Sequence, residues 1–83
     1  MDVIYETAFE EWVDRRRPSI AQQLQVLDLL AEVASETITL DDLVQVPRSS
    51  AFQAQLADGD ETIVVEFLVG DDDWCIVSYL GNG

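Results

Sequence analysis

The hydrophobic period of this chain changes once, and the change divides the chain into a helical half and an extended half. Between residues 20 and 34 apolar side chains recur at spacings of three and four, which is typical of one face of an α-helix. From residue 52 onward apolar residues alternate instead, as they do in a half-buried strand. DGDE at 58–61 and Gly70 with the three aspartates after it interrupt the alternation as turns. The second half therefore predicts antiparallel strands over 52–57, 62–69 and 74–80.

The long helix is predicted to begin at Pro18 and Ser19, because proline and serine are favoured at the first positions of a helix. Its core-facing stripe is predicted at Ile20, Leu24, Leu27, Ala31 and Ala34, and is widened by Val26, Leu29, Leu30 and Val33. Its polar face is predicted at Gln22, Gln23, Gln25, Asp28 and Glu32. In the middle strand the face that carries Ile63 and Phe67 is expected to meet this helix.

The N-terminal segment predicts a short strand over 2–6, followed by a first helix. Thr7 with Glu10 fits a capping box at the helix start, and Pro18 ends the helix. The arginines at 15–17 stand at its end, where positive charge complements the helix dipole. They are expected to balance the acidic side chains one turn earlier, with Glu11 and Arg15 at a favourable spacing; the acids are Glu10, Glu11 and Asp14.

Between the helices and the strands, Thr39 and Asp42 predict a single capped helical turn. The expected fold is therefore one α+β domain over residues 1–83. It has a short N-terminal strand, two helices, and a three-stranded antiparallel meander packed on the long helix.

Charge limits the possible functions more than any motif does. Seventeen acidic residues, four arginines, no lysine and no histidine give a net charge of −13. A surface of that charge repels nucleic acid and anionic lipid, and it attracts basic protein surfaces. Because 48% of the residues are hydrophobic, the chain is expected to fold rather than to form a disordered acidic tail. No apolar run approaches the thickness of a bilayer and no basic leader opens the chain, so a cytoplasmic protein is expected.

The residues offer little catalytic or metal-binding chemistry. Cys75 is the single cysteine, which excludes an internal disulfide, and its apolar neighbours indicate a buried thiol. Zinc ligation would need further thiols or imidazoles, which the sequence lacks. Asp71, Asp72 and Asp73 carry the oxygen ligands that divalent cations prefer, but three consecutive side chains in a tight turn seldom converge on one centre. No cofactor, metal site or catalytic residue is predicted.

The acidic residues are unevenly distributed. Residues 36–83 hold ten acidic residues and one arginine, whereas residues 1–35 hold seven and three. If the two hairpin turns lie on neighbouring edges, rows of carboxylates on a rigid sheet can occupy a protein groove built for phosphates. The predicted partner-binding residues are Asp41, Asp42, Asp58, Asp60, Glu61, Asp71, Asp72 and Asp73. In size and charge the chain resembles phage-encoded nucleic-acid mimics, including anti-CRISPR proteins, which implies an inhibitor acting in the host cytoplasm.

A second resemblance rests on the order of elements and on the stretch VIYETAFEEWV at 3–13, a short strand leading into an aromatic-bearing helix. This pattern resembles the RelE/ParE toxin superfamily, including its HigB branch. The resemblance implies mRNA cleavage, with basic groups on the sheet face and a tyrosine or histidine that moves the proton. Arg48 and Tyr79 match such positions, whereas lysine and histidine are absent.

Three hypotheses follow. The first is a non-enzymatic inhibitor or adaptor that binds a basic surface of a nucleic-acid-binding protein or complex, without direct contact with nucleic acid or membrane. The second is a housekeeping domain adapted to high salt, and the third is a diverged RelE-like ribonuclease or its inactive relative. Val64 and Leu68 lie on the outer face of the middle strand, and their exposure would indicate self-association.

Overall fold

The computed structural model describes residues 1–70 and 73–82, and it has two layers: a five-stranded sheet and two α-helices that cover one of its faces. The elements are β1 (Asp2–Ile4), α1 (Glu6–Arg16), α2 (Ile20–Ala34), a 3₁₀ turn (Leu40–Asp42), β2 (Val44–Gln45), β3 (Ala51–Asp58), β4 (Glu61–Val69) and β5 (Trp74–Asn82). The strand order is β1-β5-β4-β3-β2, with β1 parallel to β5 and the other neighbours antiparallel. The predicted α+β fold is confirmed.

The meander follows the predicted alternation, and each strand extends one or two residues further than predicted. Ile63, Val65 and Phe67 of β4 are fully buried and pack in one cluster with the helices, as expected. Tyr79 pairs with Glu66 and Val77 pairs with Phe67, so Ser78 is an extra residue in β5, as in a β-bulge. The bulge lets both Val77 and Leu80 enter the core, although their positions differ by three. The short strand β2 was not predicted.

Helix α2 buries only part of the stripe predicted for it. Ile20 and Leu24 are 70% and 55% exposed, which contradicts their predicted place in the core. The four residues predicted to widen the stripe are buried, as expected: Val26, Leu29, Leu30 and Val33. Gln22, which was predicted on the polar face, is buried with them. These side chains are larger than those of Ala31 and Ala34, so their burial fills the core more completely.

The helix ends are partly as expected. The backbone N–H of Gln22 donates to Oγ of Ser19 over 3.1 Å, which confirms Ser19 as the cap of α2. The Thr7 capping box is wrong: α1 begins at Glu6, so Thr7 already lies within its first turn. The carboxylate of Glu6 accepts the N–H of Tyr5 instead. The strand before it ends at Ile4, two residues earlier than predicted, and the chain enters the helix almost at once.

Candidate partner-binding surface

The two acidic hairpin turns lie at opposite ends of the sheet. Strand β4 runs from the turn at 58–61 to the turn that precedes β5. A strand of this length spans about 30 Å, close to the 33 Å longest dimension of the molecule. The turns therefore do not form one continuous row of carboxylates, and the supposition that they lie on neighbouring edges is wrong. Asp71 and Asp72 lie outside the described residues.

At one end, Asp58 and Glu61 hold the hairpin onto α2. The side-chain amide of Gln22, which is 7% exposed, donates to the carboxylate of Asp58 over 2.9 Å and to that of Glu61 over 2.7 Å. Asn82 donates to Glu61 over 3.2 Å and accepts the indole N–H of Trp12 over 2.9 Å. These two predicted partner-binding residues therefore have a structural role. Asp60, between them in the turn, is exposed.

Asp42, beside the middle of β3, and Asp73, at the other end of the sheet, also contact their own chain. The carboxylate of Asp42 accepts the N–H and the hydroxyl of Thr39 over 2.9 and 3.2 Å, which confirms the predicted capped turn. Asp73 lies 3.7 Å from the N-terminal ammonium of Met1, which donates to the carbonyl of Ala34 over 3.1 Å. Asp41 is exposed beside the same terminus.

The face of the sheet opposite the helices exposes a group of large apolar side chains. These are Ile4, Val44, Leu68, Trp74, Ile76 and Tyr79. The strand register places Ile76 between Ile4 and Leu68 on adjacent strands, so that these three form one row. The outer-face position predicted for Leu68 is thus confirmed, and its side chain is exposed. For Trp74, Ile76 and Tyr79 the sequence signal was the alternation of β5, which leaves apolar residues on both of its faces.

Two aromatic rings lie flat on this open face. A Cβ added to Gly70 would collide with the indole of Trp74, and one added to Gly81 would collide with the phenol of Tyr79. Each ring therefore covers the backbone of a glycine, which fixes its position and presents the other side of the ring to solvent. Tyr79 is 44% exposed.

One carboxylate lies among these apolar residues. Glu66 is half-buried in the middle of β4, and its cross-strand neighbours are Gln53 and Tyr79. The amide of Gln53 donates to the Glu66 carboxylate over 3.3 Å. We call Gln53, Glu66 and Tyr79 the Glu66 row, since they lie side by side across three strands.

The arginines do not neutralise the acidic surface. Arg15 donates to the backbone carbonyl of Leu80 over 3.0 Å, joining α1 to β5. Within residues 1–70 and 73–82, no arginine lies within 4 Å of a carboxylate oxygen, so the expected Glu11–Arg15 pair is absent from the described structure. Arg48 lies in the connection between β2 and β3, so β4 separates it from Tyr79 in β5.

The prediction of a buried thiol is confirmed. Cys75 is fully buried, and burial raises the pKa of its thiol, an effect that the positive N-terminus only partly offsets. Among the described residues, no group of three acidic, cysteine or histidine side chains is placed to hold a metal ion. In the same part of the chain, no helix combines the length and apolarity needed to cross a membrane.

No protein-family model, curated protein or solved structure matches this chain.

Proposed function

We propose that this protein is a small non-enzymatic inhibitor or adaptor that binds a basic surface of a nucleic-acid-binding protein in the cytoplasm, as phage-encoded mimics do in their host. One observation carries the proposal: the carboxylates are exposed on a folded scaffold and lack arginine partners. Thirteen of the fifteen acidic side chains in the described residues are exposed. None of them forms an ion pair with an arginine within that part of the chain.

Such a surface favours rapid association with a positively charged groove. Unpaired carboxylates create a long-range negative potential, which raises the association rate of a basic partner and weakens with salt. The sheet holds acidic groups at both ends, about 30 Å apart, and a rigid separation of this kind suits a groove that normally follows a nucleic-acid backbone. Asp60 is exposed in the turn at one end, and Asp41 is exposed beside the N-terminus, which lies at the other end.

The surroundings of Tyr79 support binding rather than RNA cleavage. Phosphate stabilisation during cleavage requires basic groups near the reacting oxygen. The neighbour of Tyr79 across the strands is Glu66, and Arg48 lies beyond β4. Arg15 lies near Tyr79, but its guanidinium group donates to the backbone carbonyl of Leu80. A carboxylate beside Tyr79 repels a phosphate, whereas it attracts a basic protein side chain.

Capture from the native host tests the proposal. The tagged protein is incubated with host lysate in 50 mM and in 500 mM KCl, and retained proteins are identified and then titrated individually. We expect a nucleic-acid-binding protein whose affinity falls at least about tenfold over this range and which duplex DNA or RNA displaces competitively. Binding that is insensitive to salt, or that persists with the nucleic acid bound, contradicts the proposal.

Charge reversal then locates the contacts. Asp41→Lys with Asp60→Lys changes both ends of the sheet, and Glu10→Lys with Asp28→Lys makes the same change in net charge on the helices. Both pairs slow association equally if only long-range attraction matters. A faster dissociation of the Asp41/Asp60 variant alone places direct contacts at the ends of the sheet.

A further inference from the structure

The open face of the sheet lies between the two acidic ends, and it has the composition of an interface centre. Within residues 1–70 and 73–82, six of the eight exposed large apolar side chains belong to it. Protein interfaces commonly have an apolar centre with aromatic residues and a polar rim. This composition suits the face to binding a partner, and its charge indicates which kind.

A second copy of this chain does not suit the face. Packing two open faces together would bring two Glu66 carboxylates out of water without a positive partner, which is strongly unfavourable. It would also bring together two chains of charge −13. A partner with an apolar surface that carries basic groups suits the face better. Its apolar part covers the exposed apolar side chains, and its basic groups neutralise the Glu66 carboxylate.

We propose that the open sheet face is the centre of the partner interface, and that Glu66 and Tyr79 together hold an arginine side chain of the partner. This inference rests on the proposed function. The planar guanidinium group forms two parallel hydrogen bonds with one carboxylate and stacks on an aromatic face. Glu66 and Tyr79 are directly opposite on adjacent strands, where Cβ atoms lie about 5 Å apart, so one guanidinium reaches both.

The surrounding side chains prepare this site. Tyr79 is fixed over Gly81, and the carboxylate of Glu66 is oriented by the amide of Gln53. Little side-chain entropy is therefore lost when the arginine binds. Leu68 and Ile76 lie next to the row on the same face, and on contact with the partner they exclude water from the ion pair. Lysine matches the charge but neither the planar geometry nor the stacking.

The test uses two blocked peptides as probes, acetyl-Leu-Arg-Leu-amide and acetyl-Leu-Lys-Leu-amide, titrated into ¹⁵N-labelled protein and followed by NMR. We expect the arginine peptide to shift the amide signals of Gln53, Glu66 and Tyr79, with an affinity at least about fivefold higher than that of the lysine peptide. Glu66→Gln keeps the size of the side chain and should remove this preference. Glu10→Gln, an exposed helix position, should keep it, and both variants should melt at the wild-type temperature.

In the peptide titration, the inference is overturned by equal shifts with both peptides, by shifts confined to the helices or the acidic turns, or by no shift at 10 mM peptide. A dimer in sedimentation equilibrium that Glu66→Gln strengthens also overturns it, because the occupant is then a second copy. The capture experiment separates this inference from the proposed function. A captured partner that binds Glu66→Gln as tightly as wild type removes the arginine site and leaves the function. If the arginine peptide binds at the Glu66 row but no basic partner is captured, the arginine site remains and the proposed function is removed.

Discussion

At the scale of single residues, Gln22 shows how a polar side chain becomes part of the core of an acidic protein. Asp58 and Glu61 are directly opposite on adjacent strands, where like charges repel. The buried amide of Gln22 donates to both carboxylates and so holds them together against α2. The helical spacing predicted Gln22 on the polar face. The pattern shows only that the residue is polar, and it does not show the hydrogen-bond partners that allow its side chain to be buried.

We expect Gln22→Glu to be one of the most destabilising single changes in the chain. It replaces a shared donor with a third carboxylate and leaves two partly buried acceptors without their bond, at a cost of about 2–3 kcal/mol. In a domain of this size such a loss lowers Tm by roughly 10 °C or more. Urea denaturation and thermal melting measure both quantities.

Ala21→Glu is the matched control, since it adds the same charge at the neighbouring exposed position of the same turn. It should change the free energy of unfolding by no more than about 0.5 kcal/mol. An equal loss in the two variants would mean that net charge, rather than the Gln22 hydrogen bonds, determines the effect.

At the scale of elements, the sequence was sufficient to place the helices and the meander but not the neighbours of each strand. The alternation in β3, β4 and β5 predicted their antiparallel pairing, because short turns leave few other arrangements. Nothing local predicted that β1 pairs with β5, about 70 residues away. In α2 apolar residues occupy more than one side of the helix, and their spacing alone did not show that Ile20 and Leu24 remain exposed. The Glu66 row was missed because its three members lie on different strands.

Strand β1 offers a test of the two-layer arrangement. Val3 points toward the helices and packs against the core, whereas Ile4 is 48% exposed on the open face. Val3→Ser removes apolar contacts and places a hydroxyl at the edge of the core, which should cost about 1–2 kcal/mol. Ile4→Ser carries a similar loss of strand propensity but should cost less than about 0.5 kcal/mol. Thermal melting of the two variants makes the comparison, and equal losses would contradict the open face.

At the scale of the whole molecule, the charge of −13 lies on a body of 33 × 23 × 22 Å. The range of electrostatic interactions is about 30 Å in 0.01 M salt, so every carboxylate then repels every other across the molecule. In 0.15 M salt the range falls to about 8 Å, and only neighbouring groups still interact. The repulsion that opposes folding is therefore mostly removed by physiological salt.

The dependence of this repulsion on salt distinguishes the binding proposal from the hypothesis of a domain adapted to high salt. If the acidic residues serve to bind a partner, we expect the protein to fold cooperatively in 10 mM buffer. Its Tm should rise with KCl up to about 0.15 M and change little between 0.15 and 2 M, because screening is then nearly complete. A domain adapted to a saline cytoplasm would instead need molar salt to fold. Differential scanning calorimetry over this range distinguishes the two. Chloride salts are required, since sulfate strengthens apolar burial in any protein and would imitate the second result.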